Sequence, residues 1–160
     1  MNETENFINL AEYYDMIDDY EMMKKYYLMA IEQGDTTAMN KLGSYYSAVE
    51  NNYEMMKKYY MMAIDNSCII TMHMLGDHYM NIEPDYEMMK KYYMMAIDRG
   101  SLKTMYTLGY YYMNEDNYVE MKKYYMMIID YDVSKAYSHH LFYKFYAMND
   151  MAYYYKKNRK

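Results

Sequence analysis

Residues Tyr53–Asp65 read YEMMKKYYMMAID, and the same thirteen residues return at Tyr86–Asp98. Related versions surround two further lysine pairs, so that the pairs beginning at residues 24, 57, 90 and 122 follow one another at intervals of 33, 33 and 32 residues. A fixed period of this length is typical of helical repeats, in which each repeat is one pair of helices. This segment, which we call the tyrosine phrase, therefore indicates the fold class.

The apolar residues of the tyrosine phrase are spaced as in an amphipathic helix. In the first copy they are Tyr20, Met23, Tyr27, Ala30 and Ile31, which a turn of about 3.6 residues places on one side. The other side carries Glu and Lys four residues apart, each pair worth about 0.2–0.5 kcal/mol. These pairs are Glu21 and Lys25, Glu54 and Lys58, and Glu87 and Lys91. We expect the charged side to face water.

A second segment, which we call the glycine phrase, alternates with the first. It reads AMNKLGSYY from Ala38, TMHMLGDHY from Thr71, TMYTLGYYY from Thr104 and, in a degenerate copy, AYSHHLFYK from Ala136. Small, leucine and tyrosine residues recur four apart, which predicts another helix. Mid-helix glycine costs about 1 kcal/mol relative to alanine, so we expect a neighbouring helix to approach closely at each glycine. These glycines are Gly43, Gly76 and Gly109.

Capping residues place the helix boundaries. Gly34 and Gly100 follow the tyrosine phrase, where glycine readily adopts a left-handed C-cap. Candidate N-caps precede it at Asp19, Asn52, Asp85 and Asn117. The sequence thus predicts an all-α fold, a right-handed α-solenoid forming one array over residues 1–160. Its five antiparallel helix pairs are expected at 4–33, 36–65, 69–98, 102–130 and 133–158, each burying its apolar sides against its neighbours.

Composition and charge exclude several classes of protein. The formal net charge is −6, from 17 basic and 23 acidic residues, which disfavours binding along a phosphate backbone. Cys68 is the only cysteine, so no intramolecular disulfide can form, and an intracellular, by default cytoplasmic, protein is expected. The first ten residues carry no basic leader and no apolar run approaches about 18 residues, so we expect no membrane span.

The segment DYEMMKKYYLMAIEQG (Asp19–Gly34), followed by AMNKLGSYY, resembles a Sel1-like repeat of the tetratricopeptide superfamily. The shared features fall on Tyr26, Tyr27, Ala30, Gly34, Ala38, Leu42, Gly43 and Tyr46, and return one period later. Two features depart from the family: the period is nearer the 34 residues of tetratricopeptide repeats, and a methionine such as Met23 replaces the usual small residue. The bias toward Met and Tyr also resembles repeat proteins of giant DNA viruses, which would place the chain in the host cell cytoplasm.

The resemblance implies a protein-binding scaffold without catalytic chemistry or cofactor, in which the glycine phrase lines the concave surface. Candidate binding positions lie two before, two after and five after the leucine of that phrase, and their residues vary between copies. They are Asn40, Ser44 and Ser47; His73, Asp77 and Met80; Tyr106, Tyr110 and Met113; and Ser138, Phe142 and Phe145. Variation suits a ligand that does not repeat, whereas solvent-facing residues of an A/T-rich gene are the simpler alternative.

Catalytic and metal chemistry have little support. His73 and Asp77 share one helix face, but the local sequence offers no third ligand. Cys68 lies near His73 without any nucleophile motif, and no phosphate-binding or zinc-protease motif occurs. We therefore expect neither an enzyme nor a bound metal.

Two further functions compete with the scaffold. A structural protein that self-associates through its terminal helices is the alternative, because MAYYYKK (Met151–Lys157) resembles the start of another tyrosine phrase. A nucleic-acid-binding repeat is disfavoured: Tyr27 belongs to the packed stripe, and glutamates such as Glu21 balance the lysines beside it. The peptide or protein that the scaffold binds cannot be named from the sequence.

Overall fold

The computed structural model describes residues 3–132 and 138–158, and within those ranges the chain forms helices and connections but no strand. The prediction of an all-α fold is confirmed. The helices are α1 (Glu3–Met16), α2 (Tyr20–Glu32), α3 (Thr36–Ala48), α4 (Tyr53–Asp65), α5 (Ile69–Asn81), α6 (Tyr86–Ile97), α7 (Leu102–Asn114), α8 (Tyr118–Ile129) and α9 (Ser138–Asn158). None of these helices is both long and apolar enough to cross a membrane.

The chain divides into two compact units, residues 1–75 and 76–160, with the division inside α5. In the first unit α1 packs on α2, α2 on α3, and α3 on α4. In the second unit α6 packs on α7, α7 on α8, and α9 on both α7 and α8. Consecutive helices thus pack as pairs within each unit, as the alternation of the two phrases predicts.

The first tyrosine of each KKYY segment stacks on a tyrosine near the end of the preceding helix. The stacked pairs are Tyr14–Tyr26, Tyr46–Tyr59, Tyr79–Tyr92 and Tyr112–Tyr124, with ring centroids 5.5, 5.6, 5.8 and 5.8 Å apart and planes within 9° of parallel. An offset stack of this kind contributes about 0.5–1.5 kcal/mol beyond its buried area. One ring contact therefore recurs in all four helix pairs.

The second tyrosine of each KKYY segment lies against the glycine of the preceding helix. A Cβ atom built on Gly43, Gly76 or Gly109 would lie 2.4, 2.2 or 2.3 Å from a ring carbon of the facing tyrosine. Those tyrosines are Tyr60, Tyr93 and Tyr125. The predicted close approach at the glycines is confirmed, and the approaching group is an aromatic ring.

The predicted caps are confirmed. The side chains of Asp19, Asn52, Asp85 and Asn117 each accept a hydrogen bond from the backbone N–H three residues later, at 3.0–3.2 Å. The backbone N–H groups of the same residues donate to the carbonyls of Tyr14, Tyr46, Tyr79 and Tyr112, at 2.8–2.9 Å. The residue before each helix of the tyrosine phrase (α2, α4, α6 and α8) therefore bonds to both helices that the connection joins.

In α2 the glutamate on the charged side pairs at a different spacing from the predicted one. Glu21 contacts Lys24 at 2.8 Å, three residues away, rather than Lys25. Lys24 also reaches Glu50 at 3.3 Å. In α8, Glu120 and Lys123 pair in the same way, at 3.2 Å. Spacing of three residues also joins adjacent turns of a helix.

The expected fifth helix pair is wrong for residues 138–158, which form the single helix α9. The two phrases merge because Asn149 and Asp150 are the only turn-forming residues between them, with no glycine or proline. Residues 133–137, where this pair was expected to begin, lie outside the described ranges. The predicted array therefore ends, in the described part, on one unpaired 21-residue helix.

Candidate functional site

The first set of predicted binding residues makes contacts inside the first unit. The Asn40 side-chain amide donates to Thr71 Oγ1 at 3.0 Å and lies 3.4 Å from Met74 Sδ. The Ser44 hydroxyl lies 3.1 Å from Tyr60 Oη and also donates to the Asn40 carbonyl. Asn40, Ser44 and Ser47 are all half-buried. Asn40 and Ser44 therefore link α3 to α4 and α5.

The second set lies on α5. His73 is buried, while Asp77 and Met80 are half-buried. The Tyr93 hydroxyl donates to the Asp77 carboxylate and lies 3.8 Å from Met80 Sδ. Burial, and then the hydrogen bond to Asp77, raise the pKa of Tyr93. Asp77 and Ser44, which each follow the glycine of their copy, therefore contact the hydroxyl of the same tyrosine position.

Histidine, cysteine and carboxylate side chains do not gather into a metal site in the described part of the chain, where no group of three or more could hold an ion. The Cys68 thiol lies 3.0 Å from Thr71 Oγ1, which donates to it. The hydroxyl of Thr71 also accepts a hydrogen bond from Asn40, so these groups link α3 to the start of α5.

The third set contributes to an aromatic cluster in the second unit. The Tyr106 ring centroid lies 6.4 Å from that of Tyr110, 5.8 Å from Tyr125, and 6.0 and 6.1 Å from Tyr143 and Tyr146. Tyr106 is half-buried under these rings, and Tyr110 is exposed. The structure therefore joins two predicted residues of α7 to rings of α9. Met113, the remaining member of the set, is half-buried.

Asp150 fixes α9 against α7 and α8. The Tyr106 and Tyr125 hydroxyls each donate to Asp150 Oδ2 at 2.9 Å. Burial, and then these hydrogen bonds, raise the pKa of both tyrosines. Asp150 was not predicted from the sequence, although its position as the single acidic residue between Ser138 and Asn158 was a usable signal.

Exposed aromatic side chains continue from this cluster along α9. Phe142 and Phe145, both predicted, are each 60% exposed. Together with Leu141 and Tyr146, which were not predicted from the sequence, they line a shallow open depression. The side chain of Ser138, the remaining predicted residue of this set, lies outside what the structure describes. We call Tyr106, Tyr110, Phe142 and Tyr146 the aromatic surface.

Comparison of the chain with protein-family models, with curated proteins and with solved structures finds no match. The resemblance to Sel1-like repeats therefore stays a prediction that rests on the two repeated phrases. The aromatic surface is the strongest candidate site, since large exposed rings that cluster are typical of surfaces that bind other proteins.

Proposed function

We propose that this protein is a helical-repeat scaffold, an α-solenoid with a period of about 33 residues, which binds a peptide or a partner domain. The binding residues are those of the aromatic surface. One observation carries the proposal: the rings of Tyr110, Phe142 and Tyr146 are exposed. The helices that carry them, α7 and α9, are joined by the hydrogen bond from Tyr106 to Asp150.

A surface of this kind suits protein binding for a physical reason. Aromatic side chains provide a large contact area with few rotatable bonds, so little conformational entropy is lost when a partner covers them. The phenol groups of Tyr110 and Tyr146 can also bond to peptide carbonyls. The hydrogen bonds of Tyr106 and Tyr125 to Asp150 supply a rigid base, which lowers the cost of binding further.

The repeated and varied residues divide in a way that supports a scaffold. Positions that pack helix on helix keep the same residue from copy to copy, such as Gly43 and Tyr60. Some varied positions serve internal hydroxyls, as Ser44 and Asp77 do. The varied positions that remain exposed, Tyr110 among them, are available to a partner. These features assign the chain no catalytic step.

The proposal is tested by placing a photo-crosslinking amino acid at Tyr110 or Phe142 in the full chain. We expect both positions to crosslink one and the same protein in cells. Val119 on α8 is the matched control, since it is apolar and 73% exposed but lies outside the aromatic surface. The crosslinked protein is then purified and titrated against the parent and the variants.

In that titration we expect Tyr110→Ser with Phe142→Ser to weaken binding at least about tenfold, whereas Val119→Ser leaves it unchanged. Circular dichroism must give the same helicity for all three chains. Equal affinity of the parent and the double variant, with folding intact, would contradict the aromatic surface as the binding site.

A further inference from the structure

Helix α9 presents an exposed stripe beside the aromatic surface. It consists of Leu141, Phe145, Met148, Ala152 and Tyr155, all of them exposed and spaced 4, 3, 4 and 3 residues apart. This spacing places them on one side of the helix. The opposite side packs inside the unit, where Ala147 is fully buried and Tyr154 stacks on Tyr118 of α8 at 5.3 Å. Tyr155, at the end of the stripe, also contacts Tyr118 through its hydroxyl and its ring. We call the five exposed residues the α9 stripe.

The α9 stripe includes the position that is covered by the following helix in α3, α5 and α7. In α3, α5 and α7 the glycine position receives a tyrosine ring from the helix that follows. Leu141 holds the corresponding position in the degenerate copy of the glycine phrase, and it is 57% exposed. Helix α9 therefore has an apolar side but lacks, in the described part of the chain, the following helix that would cover it.

Helix α1 carries a complementary stripe at the other end of the chain. Its residues are Glu3, Asn6, Leu10, Tyr13 and Ile17, the last just beyond the end of the helix, and all are exposed. They are spaced 3, 4, 3 and 4 residues apart. The other side of α1 packs inside the first unit through Phe7, Ala11 and Tyr14. We call these five exposed residues the α1 stripe.

The two stripes match when the helices run antiparallel. The α9 stripe, taken from Tyr155 back to Leu141, has the same spacing of 3, 4, 3 and 4 residues as the α1 stripe. This register brings three apolar pairs together, namely Leu10 with Met148, Tyr13 with Phe145 and Ile17 with Leu141. A parallel arrangement matches this spacing only after a shift of one position, which pairs four positions and sets Asn6 against Leu141. Spacing permits both directions, and the antiparallel register pairs all five positions rather than four.

Charge favours the same register. Helix α1 contains four acidic residues and no basic residue. The last turn of α9 carries Lys156 and Lys157, both exposed. Antiparallel packing sets Glu3 and Glu5, at the start of α1, beside these lysines. Opposite charges at such a boundary select the partner and its orientation.

We propose that α1 of a second copy of this chain packs antiparallel on the α9 stripe, on the side that the following helix covers in α3, α5 and α7. The contact joins different surfaces of two identical chains, so it is heterologous. The stripes extend over 15 residues, about 21 Å of helix. One helix pair is a small interface, so we expect association in the micromolar range that weakens as salt is added.

The proposal is tested with two full-length variants, Phe145→Asp in the α9 stripe and Tyr13→Asp in the α1 stripe. Multi-angle light scattering should show that the parent self-associates and that each variant alone is a monomer. An equimolar mixture of the two variants should form a 1:1 dimer, because each supplies the intact stripe that the other lacks. Val119→Asp is the control and should associate like the parent.

Other results would overturn the proposal. A parent that stays monomeric throughout the micromolar range excludes the contact. If Tyr13→Asp still self-associates while Phe145→Asp does not, two α9 helices pair with each other and α1 is not the occupant. A mixture that stays monomeric, with the helicity of both variants intact, also excludes it.

Charge reversal tests the register. Glu3→Lys and Lys156→Glu should each raise the dissociation constant about tenfold, and a chain with both changes should recover most of the affinity of the parent. No recovery would overturn the antiparallel register. These measurements detect self-association and need no other protein, so their outcome is separate from that of the proposed function, although Phe145 lines the same depression as Phe142 and Tyr146.

Discussion

At the scale of single residues, the absence of one methyl group decides how two helices meet. Gly43, Gly76 and Gly109 each leave room for a buried tyrosine ring. In the first pair Ala11 holds the corresponding position, three residues before the stacking Tyr14, and it is fully buried. The helices gain close contact from glycine and lose helix propensity, so the packing must outweigh about 1 kcal/mol per glycine.

We predict that Gly76→Ala lowers the free energy of unfolding by about 1–3 kcal/mol, although alanine is the better helix former. The added Cβ would lie 2.2 Å from a ring carbon of Tyr93, a side chain that is fully buried and bonded to Asp77. Urea titration followed by circular dichroism measures the change.

Ala11→Gly is the matched control for this prediction. It should also destabilise, by about 1 kcal/mol, because α1 loses helix propensity and gains no contact. A Gly76→Ala variant that is more stable than the parent would show that the Tyr93 ring can move aside at little cost, and that glycine is present there for another reason.

At the scale of elements, the turns after the tyrosine helices share one backbone geometry with different residues. Gly34 and Gly100 have φ of +81° and +83°, as predicted, and Ser67 occupies the corresponding place with φ of +64°. The next residue in each turn donates its N–H to the carbonyl of Ala30, Ala63 or Ala96. The pattern is that of a Schellman cap.

We predict that Ser67→Gly raises the free energy of unfolding by about 1 kcal/mol, because glycine removes the steric cost of a left-handed residue. Gly34→Ala should lower it by a similar amount, since no heavy atom lies within 4 Å of the added Cβ and only the backbone conformation opposes the change. Thermal unfolding of both variants measures this. Destabilisation by Ser67→Gly would contradict the assignment of the cap.

At the scale of the whole molecule, tyrosine dominates the core. The chain has 28 tyrosines, and buried ones recur in every helix pair. Burial raises the pKa of Tyr27, and burial with the hydrogen bond to Glu50 raises the pKa of Tyr45 to about 12, from an ordinary value of 10.0. The pKa values of Tyr93, Tyr106 and Tyr125 are raised as well. The folded core therefore holds its phenols neutral.

We predict that the protein unfolds in alkali. A group whose pKa is higher in the folded than in the unfolded state stabilises the fold fully below its unfolded pKa, and this contribution is lost as the pH rises through the folded value. Stability should therefore fall above about pH 10. The loss of helicity by circular dichroism should coincide with a steep rise in tyrosinate absorbance.

A free tyrosine peptide provides the reference titration for this experiment. The buried tyrosines should ionise at higher pH than the peptide and within a narrower interval, because their ionisation accompanies unfolding. If all the tyrosines ionised like the peptide while the helicity stayed unchanged, the phenols would not be buried in the folded protein.

The sequence by itself determined the helices, their caps and the close approach at the glycines. The helices and caps depend on residues a few positions apart, as the N-cap at Asp85 and the left-handed turn at Gly100 do, and the close approach follows from a mid-helix glycine. Local propensity and apolar spacing are enough to place them.

Only the tertiary structure decided which polar group meets each tyrosine hydroxyl. Ser44 and Asp77 meet those of Tyr60 and Tyr93 from the preceding helix, whereas Asp150 meets that of Tyr125 from the following helix, α9. The tertiary structure also decided which side of α9 packs inside the unit, and it left Phe145 exposed. These contacts join residues far apart in the chain, and a buried hydroxyl takes whichever partner the packing of the helices brings within reach.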